Sequence, residues 1–209
     1  MVLAVIAIVA LLGVAPIIPP SVFSAPANST LRLNEVLADP ASGAEGDANG
    51  DGVRSSSDDE FVEILNVGTE PVDLAGYVLR DSTDVRHRFP DSLTLWLEPG
   101  GFLTIFGGGD VSAVPGLAVI SSEGGLSLNN GGDRVTLLAP DGEVADSHLY
   151  GSEGGRDRSL VRLPDGDGSW FLAGDEGSEA PFSPGRSNGS VAASSRRSWG
   201  FVKARLAAP

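Results

Sequence analysis

The feature that most constrains this chain is its punctuation. Short apolar or alternating runs recur about every ten residues, and Gly, Pro, Asn and Asp clusters separate them. Strands are predicted at 31–37, 60–66, 74–80, 87–90, 93–97, 102–106, 117–121, 126–128, 135–138, 144–150 and 159–163. Leu31–Leu37 sets Leu31, Leu33 and Glu35 against Arg32, Asn34 and Val36. Phe102–Phe106 (FLTIF) is apolar on both faces, as a central strand would be. Ala139-Pro140-Asp141-Gly142 lies between two β-rich runs and predicts a hairpin. No segment has a helix-length 3.6-residue period. Nine or so short strands with no helix predict an all-β antiparallel sandwich.

One loop departs from ordinary turn chemistry. Residues 47–60 read DANGDGVRSSSDDE. Asp47, Asn49 and Asp51 sit two residues apart and Gly52 follows. Calcium takes six to eight oxygen ligands, and a loop offering them at positions 1, 3, 5, 7, 9 and 12 can wrap one ion. Counted from Asp47, these are Asp47, Asn49, Asp51, the Val53 carbonyl, Ser55 and Asp58, with Asp59 or Glu60 as a substitute at the close. Position 12 is Asp rather than Glu, and no helix flanks the loop. The competing reading is a solvated Asx/Gly turn with no metal. The expected cofactor is therefore a structural Ca2+.

Charge and motifs narrow the function classes. The net charge is −14, and residues 1–185 hold nine bases and all 28 acids, a net −19. That argues against nucleic acid as a partner, since phosphate binding needs a basic face. There is no cysteine, hence no disulfide framework or thiol chemistry. No G-x-S-x-G, H-E-x-x-H or P-loop pattern occurs. His87 and His148 read as surface or inter-strand residues rather than a ligand pair. Trp96 and Trp170 read as core or edge packing rather than a sugar platform. Glu35 and Glu63 lie within strands and read as structural acceptors for loop backbone. No catalytic residue is assigned, and an enzyme is not expected.

The ends differ from the body. Residues 1–27 are uncharged, with an apolar core over Val2–Val14 and an Ala25-Pro26-Ala27 cleavage-like site. They read as an export signal, though no Lys or Arg precedes the apolar run; an uncleaved N-terminal anchor is the alternative. Residues 28–187 form the expected β-domain. Residues 188–209 are a tail that carries RRSWGFVKARL, basic and too short for a stable helix alone.

Taken together, LNEVLADP, DEFVEILN, PVDLAGYVLRD, LEPGGFLTIFGGG, LSLNNGGDRVTLLAPDGEVADSHLYG and FSPG resemble the lamin tail domain in its bacterial, secreted form, from about Leu31 to Gly185. The resemblance implies an immunoglobulin-like β-sandwich. These 209 residues hold no coiled-coil rod, so a nuclear-filament role is not implied. It implies instead a non-enzymatic module, secreted or at the cell surface, whose partner is an extracellular protein or glycan. Membrane contact would come only through a retained N-terminus. The alternatives are a Ca2+-dependent binder of glycans or another surface ligand, and an accessory domain of a secreted hydrolase system.

Overall fold

A computed structural model describes residues 29–175 and 180–189. The export-signal segment and the basic RRSWGFVKARL stretch fall outside these residues. Twelve strands are present among them: β1 (Leu31–Leu37), β2 (Phe61–Asn66), β3 (Val72–Asp73), β4 (Val78–Arg80), β5 (Val85–Arg88), β6 (Trp96–Leu97), β7 (Phe102–Phe106), β8 (Leu117–Ile120), β9 (Asp133–Leu138), β10 (Val144–Tyr150), β11 (Leu160–Leu163) and β12 (Ser169–Leu172). A six-stranded sheet runs β12-β11-β1-β2-β7-β8, a four-stranded sheet runs β10-β9-β4-β5, and β3 pairs with β6 alone. All pairs are antiparallel except β7–β8.

The core lies between the two large sheets. From the six-stranded sheet come Leu31, Leu33, Val36, Val62, Ile64, Leu103, Ile105 and Leu160; from the four-stranded sheet come Leu79, Val135, Leu137, Ala145 and Tyr150. Inward and outward residues alternate along the regular stretches, as a pleated backbone requires, with register shifts in the β9–β10 and β4–β5 pairs. The alternation fails in β1. Leu33 pairs with Ile64 and Glu35 with Glu63, so Asn34 is an extra residue, a β-bulge. The bulge puts Leu33 and Val36 into the core and turns Asn34 and Glu35 together to the outer side. The simple two-residue alternation expected for this strand is corrected accordingly.

Other boundaries also move. The 74–80 run is not one strand: Val72–Asp73 and Val78–Arg80 are separated by a turn in which Gly76 takes φ +79°. The 126–128 strand does not form. Leu126 and Leu128 are buried, but Ser127 has φ +50° and the Leu128 N–H goes to the Glu60 carboxylate instead of a neighbouring strand. Ser169–Leu172, not expected as a strand, completes a hairpin with β11.

The outer face of the six-stranded sheet is not open. Leu37, Phe61 and Phe106 form a second apolar cluster with Ala48, and Val111, Val114 and Phe182 pack on it. Irregular chain from 44–60, 107–115 and 180–189 thus makes a third layer. Asn188, placed by the sequence at the start of the tail, belongs to it: Asn188 is 3% exposed and its Nδ2 donates to the Asn34 carbonyl at 3.0 Å.

Candidate functional site

The expected metal loop is built from Asx turns. Asp47 Oδ1 accepts the Gly50 N–H at 3.0 Å and Oδ2 the Gly52 N–H at 2.9 Å. Asn49 Oδ1 accepts the Asp51 N–H at 3.0 Å, and Asp51 Oδ1 accepts the Val53 N–H at 2.7 Å. Each side chain folds back on backbone just ahead of it, which is what short oxygen-bearing side chains do in turns. Gly50 and Gly52 take φ +74° and +87°, conformations that cost a β-carbon residue energy. Asp47, Asn49 and Asp51 are thereby gathered in one tight coil.

The remaining candidates divide. Ser55 Oγ accepts the Asp58 N–H at 3.1 Å, a local turn. The Val53 side chain is 67% exposed. Asp58 lies against Gly108, at whose position a β-carbon would strike the carboxylate. Asp59 is turned away and fully buried. Its Oδ1 accepts the N–H groups of Ala48 (2.8 Å) and Asn49 (3.1 Å), and its Oδ2 that of Ser55 (2.7 Å). It ties the first half of the loop to the second. Glu60 points elsewhere again: its Oε2 accepts the Leu128 N–H at 3.2 Å, and burial pushes its carboxyl up to about 7. Among the described residues no three His, Asp or Glu side chains are grouped to hold a metal.

A glycine turn closes over the loop. Gly107–Gly109 follow β7 directly. In the structure a β-carbon on Gly107 would meet the Ser57 carbonyl, and one on Gly109 would meet Asn49 and Asp51. Asp110 N–H then donates to Asp51 Oδ2 at 3.1 Å. The three glycines let backbone lie flat on the acidic loop.

A second polar centre lies beside this loop, under the irregular cover of the sheet. Glu35 and Glu63 are opposite each other on β1 and β2, and both are fully buried. Glu35 Oε1 accepts Ser159 Oγ–H (2.5 Å) and the Ser183 N–H (2.8 Å), and its Oε2 accepts Ser183 Oγ–H (2.9 Å). Glu63 accepts Asn34 Nδ2 (3.0 Å), Thr104 Oγ1 (3.3 Å) and the Gly185 N–H (2.6 Å). Both therefore bond loop backbone, as their strand positions suggested. Burial raises both carboxyls, Glu35 to about 7, and the Glu35 charge lifts Glu63 further above the usual range. The charge of either one makes the other harder to ionise. Sequence reading missed the Ser183–Asn188 segment as their partner. The only signal was FSPG, a turn after a polar stretch.

The histidines are structural. His148 stacks on Trp170 with ring centroids 3.7 Å apart, and burial together with the nearby Arg162 charge pulls it down to about 4. His87 is buried edge-on to Phe89, and burial lowers it too. Trp96 is 50% exposed, so it is not core.

The fold and these sites define an immunoglobulin-like β-sandwich whose buried acids hold loop backbone. The chain belongs to the lamin tail domain family: the family model, described as Lamin Tail Domain, matches residues 24–152, more than half of the chain. The match stops just after β10, whereas the sheet continues through β11 and β12. A comparison with curated proteins gave no match.

Proposed function

We propose that the chain is a non-enzymatic interaction and structural module that acts outside the cell, with one Ca2+ as a structural ion in the 47–58 loop. The observation that carries the calcium reading is the arrangement of Asp47, Asn49 and Asp51. Each bonded oxygen takes a single backbone N–H, and a carboxylate or amide oxygen has two lone pairs. The loop thus keeps oxygens available while N–H groups hold them in place. Asp47, Asn49, Asp51 and Asp58 would hold the ion, with the Val53 carbonyl and Ser55 completing the shell. Asp59 would act on the backbone behind them. The ion would supply cross-linking charge in a loop dense in carboxylates. A non-enzymatic role is supported by family membership and by the use of Glu35, Glu63 and Asp59 as backbone acceptors. Export is supported by the uncharged apolar segment that precedes Ala27.

Thermal melting with calcium and with chelator tests the ion. An ion that binds only the folded state adds about 2.7 kcal/mol when it is a hundredfold above its dissociation constant. Asp51→Ala should lose that gain. It should also cost about 1 kcal/mol in chelator, because the Val53 and Asp110 N–H groups lose their acceptor. The decisive quantity is the calcium shift of each protein, not their absolute stabilities. Equal shifts in both proteins would move the site elsewhere, and no shift in either would leave a bare Asx turn. Mass spectrometry of the protein from its native host should give a start near Asn28 or Ala25; an intact Met1 on a cytoplasmic protein would refute export.

A further inference from the structure

The outer face of the four-stranded sheet carries a groove of about 400 Å3 whose polar lining is Arg80, Ser82, Arg134, Thr136 and Ser147, with Leu138 and Val144 as its apolar wall. Its composition is unexpected on a body with a net charge of −19. Four of the nine bases before residue 186 lie on this sheet: Arg80, Arg86, Arg88 and Arg134. Arg86 is paired with Asp81 at 2.5 Å and Arg88 with Glu123 at 3.5 Å. Arg80 and Arg134 have no acidic partner among the described residues. Asp81 also lines the groove, but its carboxylate is taken by Arg86 and by the N–H groups of Thr83 and Asp84.

Strand register makes these two arginines converge, although Arg80 Nε also donates to the Asp81 carbonyl at 3.3 Å. Arg80 is directly opposite Thr136, and Thr136 is directly opposite Ser147, so these three form a row across β4, β9 and β10. Residues paired across a sheet point to the same side. Arg134 is two residues from Thr136 on the same face, which makes it the diagonal neighbour of Arg80, about 7–8 Å away in backbone terms and within reach of long side chains. Arg134 Nη1 donates to Ser147 Oγ at 3.4 Å, and Ser147 Oγ lies 3.1 Å from Thr136 Oγ1. With Asp81 engaged by Arg86, an anion placed between Arg80 and Arg134 would be attracted by both.

We propose that this groove binds an acidic saccharide, with Arg80 and Arg134 taking a uronate carboxylate and Thr136 and Ser147 taking sugar hydroxyls; Ser82 Oγ–H is held by Asp133 Oδ1 at 2.6 Å and only borders the site. Arginine presents fixed pairs of donors that match a carboxylate. Hydroxyl side chains both donate and accept, as sugar hydroxyls do. An acidic peptide fits less well. β4 and β9 are hydrogen-bonded on both edges, so a peptide entering the groove finds no free strand to extend. A neutral sugar fits less well too, because no aromatic ring lines the groove. The volume suits a ligand of a few sugar units at most. The groove is on the sheet away from the 47–60 loop, so it stands apart from the calcium reading.

Calorimetric titration of the full chain in chelator tests the proposal, with trigalacturonate as the probe, maltotriose as the neutral control and triglutamate as the peptide control. Trigalacturonate should bind, maltotriose should not, and triglutamate should bind at least tenfold more weakly. Arg80→Gln and Arg134→Gln should each weaken trigalacturonate binding at least tenfold with little change in melting temperature. On the wild-type chain, amide shifts on adding trigalacturonate should concentrate at residues 80, 134, 136 and 147, a readout that needs no variant to fold. No trigalacturonate binding, triglutamate binding as tight, or undiminished binding by both variants would overturn the assignment.

Discussion

The two large sheets share one core but treat their outer faces in opposite ways. Outside the six-stranded sheet, Leu37, Phe61 and Phe106 are fully buried, and so are Glu35, Glu63 and Thr104. Outside the four-stranded sheet, Leu149 is 63% exposed and Arg80 and Arg134 are half-buried. The covered face lies under irregular chain, which brings backbone N–H groups that no ladder satisfies. Those groups need acceptors, since an unpaired buried donor costs about as much as a lost hydrogen bond. Glu35, Glu63 and Asp59 are those acceptors, taking the N–H groups of Ser183, Gly185, Ala48, Asn49 and Ser55. At the four-stranded sheet such acceptors for turn backbone lie at strand ends, where Asp81 and Asp133 take the N–H groups of Thr83, Asp84, Ser82 and Asn129. Arg80 and Arg134, two bases without an acidic partner among the described residues, lie on this open face.

The largest expected effect separates the faces directly. Phe61→Ala removes a ring that packs 5.3 Å from Phe106 under the cover. It should cost about 3–5 kcal/mol by denaturant titration, the ordinary cost of a large core truncation. A loss below about 1 kcal/mol would mean the cover is loosely laid and the outer cluster is not a core.

A slightly smaller effect is expected where the sheets are tied together. Asp146 comes from β10, and its Oδ2 accepts the Leu33 N–H beside the β1 bulge and Arg162 Nη2, both at 2.9 Å. Asp146→Ala leaves a nearly buried guanidinium and a buried N–H without this acceptor. The cost should be about 3 kcal/mol. Asp146→Asn, which keeps one acceptor oxygen, should recover part of it. Equal losses in the two variants would assign the effect to charge alone.

The sequence made some of this legible and hid the rest for physical reasons. β1, β7 and β10 fall where the runs Leu31–Leu37, Phe102–Phe106 and Val144–Tyr150 placed them. FLTIF is apolar on both faces because both faces are covered, and that much was readable. The Asn34 bulge was not: a period of two locates a strand but does not say where one residue is skipped. Asp59 was also opaque. A carboxylate that binds three backbone N–H groups and one that binds a cation look alike in a string such as SDDE. The pairing of Arg80 with Thr136 is invisible too, because the residues are 56 positions apart and only sheet register joins them.

The covered face should also respond to pH in a way the open face does not. Burial holds Glu35 at about 7 and raises Glu63 well above its ordinary value. A carboxyl whose folded pKa exceeds its unfolded value contributes stability that is fully present below about 4.5 and is lost as pH rises through the folded value. Glu60, also at about 7, acts in the same window. The wild type should therefore lose stability from pH 5 to pH 8. Glu35→Gln keeps the shape, and its amide can donate to Ser183 Oγ as a protonated Glu35 would. It removes one raised carboxyl and the charge that lifts Glu63. The variant should lose about 2 kcal/mol less than the wild type over this range, read by urea melts at both ends. Parallel pH profiles would place the titration outside this pair.

The smallest effect is expected at the position that mirrors Phe61 on the open side. Leu149 lies opposite Arg134 on the outer face of β10 and is the most exposed apolar residue of the four-stranded sheet. Leu149→Thr keeps β-propensity and gives up a side chain that is already mostly in water, so stability should change by less than about 0.5 kcal/mol. The same change also tests how far the open face reaches. Because Leu149 borders Arg134 across β9 and β10, trigalacturonate affinity should stay within about twofold if the ligand is held by the Arg80–Thr136–Ser147 row. A stability loss above about 1 kcal/mol would mean that Leu149 is covered in solution, and the contrast between the two faces would then fail on the side where it is drawn most sharply.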